Sequence, residues 1–439
     1  MRSGPFIPDQ QARVLYSMCA DDCSLHFDLA NLTPKQQADH EANLDLIAMP
    51  QIASSYIGKP TDHVAVYDAF NDPAWRDTLE FYNAAHQRMG LDPIPLANFH
   101  FYPRERFYEA MAEDLSAGRI DVDLNTLYMI SGWNAVLHRN DEALDISRKA
   151  NSKMQLADDA ERFGIPAPDT KVFHKADLDG PEVAAFFEKH DNTLMLKIKG
   201  LAGARNVTVV GSPADALVYL AEFPDDLEVV LQRKLADTYT EMTVDLCVSD
   251  SDISIANVRR ILFAEGLWVG NLIGPDVALT PAHEDVLIEV GRYVRELGYT
   301  SPEGYNCGID FFIGNDELLV IEINARWTGG LFPAQMIKRL GVQQETTVVF
   351  FDRVIREKLP DYLAFQDKHL FGVANGASNN SFASVPLGFS PFTAEIDGAQ
   401  YVHVWQMVVG DFEAFKRAKR DSLGEGQLPT AELISLSAT

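Results

Sequence analysis

Apolar and polar positions alternate most clearly over residues 193–199, where Met195, Lys197 and Lys199 share one face of a predicted strand and Leu194, Leu196 and Ile198 the other. Residues 206–210 read as its returning partner and 229–235 as a further strand, followed by a hairpin meander over 240–248 and 253–263. Upstream, short apolar runs at 14–18 and 63–67 and a helical pattern over 75–89 alternate in the manner of an α/β lobe. A helix is expected from about 152 to 163, with Met154, Ala157, Ala160 and Phe163 on one face and Gly164 and Pro166 ending it. Thr280 and Pro281 open another, whose stripe runs through Leu287, Val290, Val294 and Leu297. Residues 308–313 and 318–324 form a hairpin around a Gly314-Asn-Asp turn, and 343–358 are expected to be helical. A strand over 401–409 and a charged helix from Phe412 make a small terminal α+β addition.

The chain has 439 residues, 46% hydrophobic and 23% charged, which is a folded globular composition with enough length for two to four lobes. Its 64 Asp and Glu against 37 Lys and Arg leave a net charge of -27. Such a chain repels polyanions, so no nucleic-acid or membrane partner is expected. No stretch reaches the roughly 18 apolar residues of a membrane span, and the opening residues lack a basic region followed by an apolar core. The expected location is cytoplasmic. Cys19 and Cys23 have no second cluster to complete a zinc site and read, with Cys247 and Cys307, as reduced thiols.

The chemistry concentrates in the second half. The late hairpin sets Asp310 roughly opposite Glu322 within apolar strands, and directly opposed carboxylates destabilise a sheet unless a cation lies between them. Asn324 points to the same face as Glu322, so the three offer hard oxygen ligands suited to Mg²⁺, with Mn²⁺ as a substitute. Lys153, at a helix start, is disfavoured by the macrodipole and calls for solvent or an anion nearby. Lys197 and Lys199 precede a small-residue loop containing Gly200 and Gly203, whose N–H groups can aim at phosphate oxygens. Beyond the acidic strand, Arg326 and the backbone of Gly329 and Gly330 suit negative charge developing on a tetrahedral centre. Arg259 and Arg260 are strand neighbours, so at most one faces the same site. Leu267, Trp268 and Leu272 read as an apolar wall or as core, and His283 and His403 as structural or exposed.

This order, from a lysine at a helix start to Asp and Glu-x-Asn on a late hairpin, resembles the ATP-grasp superfamily over residues 150–345. The run Asn-Ala-Arg-x-x-Gly-Gly is similar to the amino-acid and peptide ligases of the bacilysin and pheganomycin type. The resemblance implies an α/β protein with a preceding lobe at 1–145, a small lid lobe at 146–235, a central metal-binding lobe at 236–360 and an accessory segment at 361–439. It further implies that Lys153 and Lys197 contact ATP phosphates, that Gln232, Arg233, Lys234 and Leu235 form the hinge meeting adenine, and that Glu241 meets the ribose. Asp310, Glu322 and Asn324 match the magnesium ligands, and Arg326, Gly329 and Gly330 face an acyl phosphate. The implied activity is ATP-dependent ligation of a small carboxylate to an amine with release of ADP, in a chain that forms homodimers in some relatives. Carboxyl transfer, or a regulatory module that binds ATP without turning it over, are the competing readings.

Overall fold

Three sheets follow one another along the chain in the computed structural model, which describes residues 2–4, 12–24, 31–127, 141–198, 207–302, 304–314, 317–372 and 381–436. The first is parallel, from β1 (Arg2–Gly4), β2 (Val14–Ser17), β3 (His63–Tyr67), β4 (Phe99–Tyr102) and β5 (Leu124–Leu127), in the order β1-β5-β2-β3-β4. Its central strands β2 and β3 are mostly apolar and buried, as a sheet covered by helices requires. One helix, Pro34–Ile57, escaped the sequence pattern; Thr33 caps it in a reciprocal box with Gln36, and Pro50 lies inside it.

The second sheet is antiparallel, from β6 (Thr170–His174), β7 (Leu194–Ile198), β8 (Val207–Val210) and β9 (Glu228–Arg233), in the order β6-β9-β7-β8. Leu194, Leu196 and Ile198 pack with Phe186, Phe187 and Leu231 in its own core, as the alternation requires. That leaves Met195 and Lys197 on the other face.

The third sheet has eight antiparallel strands: β10 (Thr240–Val248), β11 (Ile253–Ala264), β12 (Leu267–Ile273), β13 (Tyr305–Gly314), β14 (Glu317–Asn324), β15 (Thr347–Ile355), β16 (Phe382–Ile396) and β17 (Ala399–Gly410). Their order is β14-β13-β10-β11-β12-β15-β17-β16. The expected helix over 343–358 is therefore replaced by β15. Its Thr-Val-Val-Phe-Phe start is β-branched and aromatic, and the strand is covered on both faces, which removes the alternation that distinguishes strand from helix. The segment from 361 onward is built into the same sheet through β16 and β17 and does not stand apart from it. β16 packs beneath Pro34–Ile57 and a second first-lobe helix, Pro73–Arg88: Tyr82 donates to the Gly388 carbonyl at 3.0 Å, and His86 lies 3.1 Å from that of Pro386. Met49 and Phe389 share a core that runs from the first lobe into this far half of the sheet. The expected helix after Thr280 is Pro281–Glu296, whereas the one after Ser152 is shorter than expected, Lys153–Asp159. No helix of the described residues is long and apolar enough to cross a membrane.

A Cβ at Gly388 would lie 2.3 Å from the Met49 carbonyl oxygen, a backbone atom that cannot swing aside. Gly388→Ala should therefore cost about 1–3 kcal/mol, read as a lower urea midpoint, by separating β16 from the helix Pro34–Ile57.

Candidate functional site

A cleft of about 750 Å³ opens between the second sheet, the large third sheet and the first-lobe helix Pro34–Ile57. Its floor is one face of the near half of the large sheet, carrying Glu241, Thr243, Arg259, Asp310, Glu322 and Asn324. The second sheet contributes Met195, Lys197 and the hinge from Gln232 to Leu235, and the helix Pro34–Ile57 adds Leu46, Ile47 and Pro50.

The floor depends on a β-bulge. Strict alternation along Leu318–Asn324 would put Leu318, Val320, Glu322 and Asn324 on one face, either charge in the core or apolar residues in the cleft. The register shifts between Asp310 and Phe311, pairing Asp310 with Glu322 but Phe311 with Val320, so Ile321 is the extra residue. Leu318, Val320 and Ile323 then fill the core, while Glu322 and Asn324 reach the cleft.

The expected opposition of Asp310 and Glu322 is thus present, and its electrostatics are those of a site built for positive charge. Burial, and then the facing Glu322, push the Asp310 carboxyl up to about 6. Burial also pushes Glu241 up to about 8, with Asp310 adding to the rise. Burial opposes ionisation of Glu322 too, but the Lys153 ammonium 2.5 Å away holds its carboxyl below the ordinary value. This contact answers the misfit of Lys153 at a helix start: the anion it calls for is Glu322. Lys197 is 6% exposed, and burial lowers its ammonium to about 8 despite the pull of Glu322.

Asn324 joins the acidic pair to Arg326. Its Nδ2 donates to Asp310 at 2.9 Å, and its Oδ1 accepts from the Arg326 guanidinium at 2.5 Å. Gln232 donates to the Thr170 hydroxyl at 2.9 Å, and Arg233, Lys234 and Leu235 line the cleft beside it. Of the expected phosphate loop, Lys199, Gly200 and Gly203 lie outside the described residues. The remaining candidates, Lys153, Lys197, Glu241, Asp310, Glu322, Asn324, Arg326, Gly329 and Gly330, all line the same cleft.

Arg259, not Arg260, faces it. The Arg259 guanidinium is 1% exposed and pairs with Asp245, itself wholly buried, while Nη2 donates to Thr328 Oγ1 at 3.0 Å. Asp245 also accepts from Asn257 at 2.9 Å, Asn306 at 3.1 Å and Thr328 at 2.8 Å. A Cβ on Gly330 would stand 2.0 Å from Arg259 Nε, and one on Gly329 2.9 Å from the Trp268 ring. The two glycines are needed because this turn lies directly on those side chains. Of the three apolar candidates, Trp268 lines the cleft, Leu267 is 58% exposed and Leu272 is in the core. Sequence reasoning missed Asp245, Asn257, Asn271 and Phe351; the only available signal was that Asp245 shares a strand face with Glu241 and Thr243.

No family model matches the sequence, and no curated protein does either. Solved structures do match in shape. N5-carboxyaminoimidazole synthase from Aspergillus clavatus, in complex with ADP and 5-aminoimidazole ribonucleotide, aligns at a TM-score of 0.53 and 11% identity over 93% of this chain and 96% of that one. The chain has the ATP-grasp fold. The biotin carboxylase domain dimer of Hydrogenobacter thermophilus 2-oxoglutarate carboxylase, with MgADP, ADP and bicarbonate, aligns at 0.53 and 11% identity, covering 94% and 89%. Phosphoribosylamine–glycine ligase from Thermotoga maritima aligns at 0.50 and 15% identity, covering 88% and 95%. These ATP-grasp structures are carboxylating and glycine-ligating enzymes, and none of the three is of the bacilysin or pheganomycin type.

Removing one partner of a buried ion pair leaves the other charge uncompensated. Asp245→Ala should accordingly lower unfolding free energy by about 3–5 kcal/mol, measured by urea denaturation.

Proposed function

We propose that this chain is an ATP-dependent carboxylate–amine ligase that works on amino acids or small carboxylic acids. The observation that carries the proposal is the opposed pair Asp310 and Glu322, flanked by Lys153 and Lys197 in the cleft between the second and third sheets of an ATP-grasp fold. In the proposed reaction a carboxylate oxygen attacks the γ-phosphorus of ATP, ADP leaves, and the amine then displaces phosphate from the acyl phosphate to form the amide. The residues fit a divalent cation, since two carboxylates that repel one another across adjacent strands gain most from one. Asp310 and Glu322 would hold Mg²⁺, or Mn²⁺ in its place, together with the Asn324 carbonyl oxygen. When bound, the metal supplies charge neutralisation on the phosphate oxygens.

The chain's own side chains supply the rest. Lys153 and Lys197 face the phosphates from the helix start and the second sheet, and the hinge from Gln232 to Leu235, with Glu241, meets the nucleoside. Lys199 and the loop glycines Gly200 and Gly203 belong to this proposal as phosphate contacts. Arg326 and the N–H groups at Gly329 and Gly330 stabilise negative charge on the acyl phosphate and on the tetrahedral centre that the amine creates. Closure of the second sheet over the cleft excludes the water that would hydrolyse the acyl phosphate. A homodimer is part of the proposal, supported by the dimeric biotin carboxylase domain among the similar structures. Carboxylation is the second reading, favoured by the likeness to N5-carboxyaminoimidazole synthase and to a biotin carboxylase domain.

Incubation with Mg-ATP, hydroxylamine and a panel of amino acids and small carboxylic acids should yield hydroxamate together with ADP for at least one acid. ADP release that requires bicarbonate would replace ligation by carboxylation, and nucleotide binding with no ADP across the panel would overturn the enzyme reading. Glu322→Gln should abolish ADP release in a protein that still folds by circular dichroism, because it removes a metal-binding charge while also depriving Lys153 of its carboxylate partner; undiminished turnover would refute the metal assignment.

A further inference from the structure

Beyond the acidic pair, the cleft ends in hydrogen-bond donors that have no acceptor. Asn271 is 3% exposed and its Nδ2 is unpartnered; Arg259 uses Nη1 and Nη2 on Asp245, Asn257 and Thr328, which leaves Nε unpartnered. Both residues line the cleft. Burying such a donor without a partner costs about 1–3 kcal/mol, and two of them on the adjacent strands β11 and β12 call for an oxygen from outside the protein.

Their neighbours define what else that molecule must be. Between Leu262 and Phe263 the register of β11 and β12 shifts by one residue, and this bulge turns Trp268 into the cleft along with Asn271. Trp268 meets Phe351 edge-on with ring centroids 5.1 Å apart, and Phe351 in turn stacks on Trp405 at 5.1 Å, so the wall is a braced aromatic surface. Ile47 and Pro50 line the same cleft from the first lobe. Position is set by the register: Glu322, Asp310, Thr243 and Arg259 are successive partners across β14, β13, β10 and β11. Arg259 is thus two strand spacings, about 10 Å, from Asp310, roughly the span of one small aromatic acid between reacting carboxylate and far end.

We propose that this end of the cleft is the specificity subsite for an aromatic carboxylic acid that carries an oxygen distal to its reacting carboxylate, the ring lying against Trp268 and Phe351 and the distal oxygen accepting from Asn271 Nδ2 and Arg259 Nε. The assignment rests on the ligase reading for the direction in which the acid lies, with its carboxylate toward Arg326. A subsite built to bond an oxygen discriminates strongly against the analogue without it, because its donors are then left unpaired.

The test is calorimetric titration of the full-length protein, loaded with Mg²⁺ and a non-hydrolysable ATP analogue, with matched acids: L-tyrosine against L-phenylalanine, and 4-hydroxyphenylacetate against phenylacetate, with glycine and bicarbonate as controls. The hydroxylated member of at least one pair should bind tenfold or more tightly than its partner, and Asn271→Leu should reduce that ratio severalfold while leaving nucleotide binding unchanged. No aromatic acid binding, or equal binding within both pairs, overturns the subsite whatever the variant does. A ratio that survives Asn271→Leu in the folded variant overturns it as well. ADP release measured in parallel keeps the two readings apart. Selective aromatic-acid binding without ADP upholds the subsite against the ligase, whereas ADP release on glycine or bicarbonate without aromatic binding upholds the enzyme and sinks the subsite.

Discussion

The Asp245–Arg259 pair is the constraint on which the rest of the cleft depends. A carboxylate with no solvent access is tolerable only when donors saturate it, and here they come from a neighbouring strand, from Asn306 on the next and from Thr328 in the turn beyond β14. The same ion pair therefore fixes the mutual position of β10, β11 and β13, and pins the turn that carries Gly329 and Gly330. Arg326, whose carbonyl accepts from Asn306 at 2.8 Å, is held by the same network through its backbone. The charge closest to the acidic pair on this side is placed by a group that never reaches solvent.

The large sheet divides its labour along its width. Strands β10, β11, β13 and β14 spend one face on polar side chains and the other on the core formed with the helix Pro281–Glu296. Strand β16 lies against the first-lobe helices, and β15, β16 and β17 carry no charged residue into the cleft. Because both halves belong to one hydrogen-bonded sheet, the first lobe and its residues Ile47 and Pro50 are positioned against the acidic pair by backbone continuity.

Much of this was legible in the sequence where period-two alternation was clean. The lysine face of β7 follows from it directly, whereas the opposition of Asp310 and Glu322 also needs the extra residue Ile321, which alternation does not announce. It failed where burial on both sides removed the alternation, as at β15, and where Pro50 interrupted the pattern of a long helix. The Asp245 network was illegible for a different reason: a single Asp in an apolar strand announces burial but not its partners, and Thr328 and Asn306 are brought to it only by tertiary packing. Neighbouring Arg259 and Arg260 could not be told apart until the fold chose a face. The likeness to the ATP-grasp fold was readable from the order of the pieces.

The bulge at Ile321 gives the hairpin a spare residue. Everything from Leu318 to Ile321 is apolar, so a chain one residue shorter anywhere in that run would iron the bulge flat and still set Asp310 against Glu322, with apolar side chains left to fill the core. The acidic pair is in this sense buffered against a change of length on the side of the turn, while on the other side, between Glu322 and Arg326, the chain has no slack to lose.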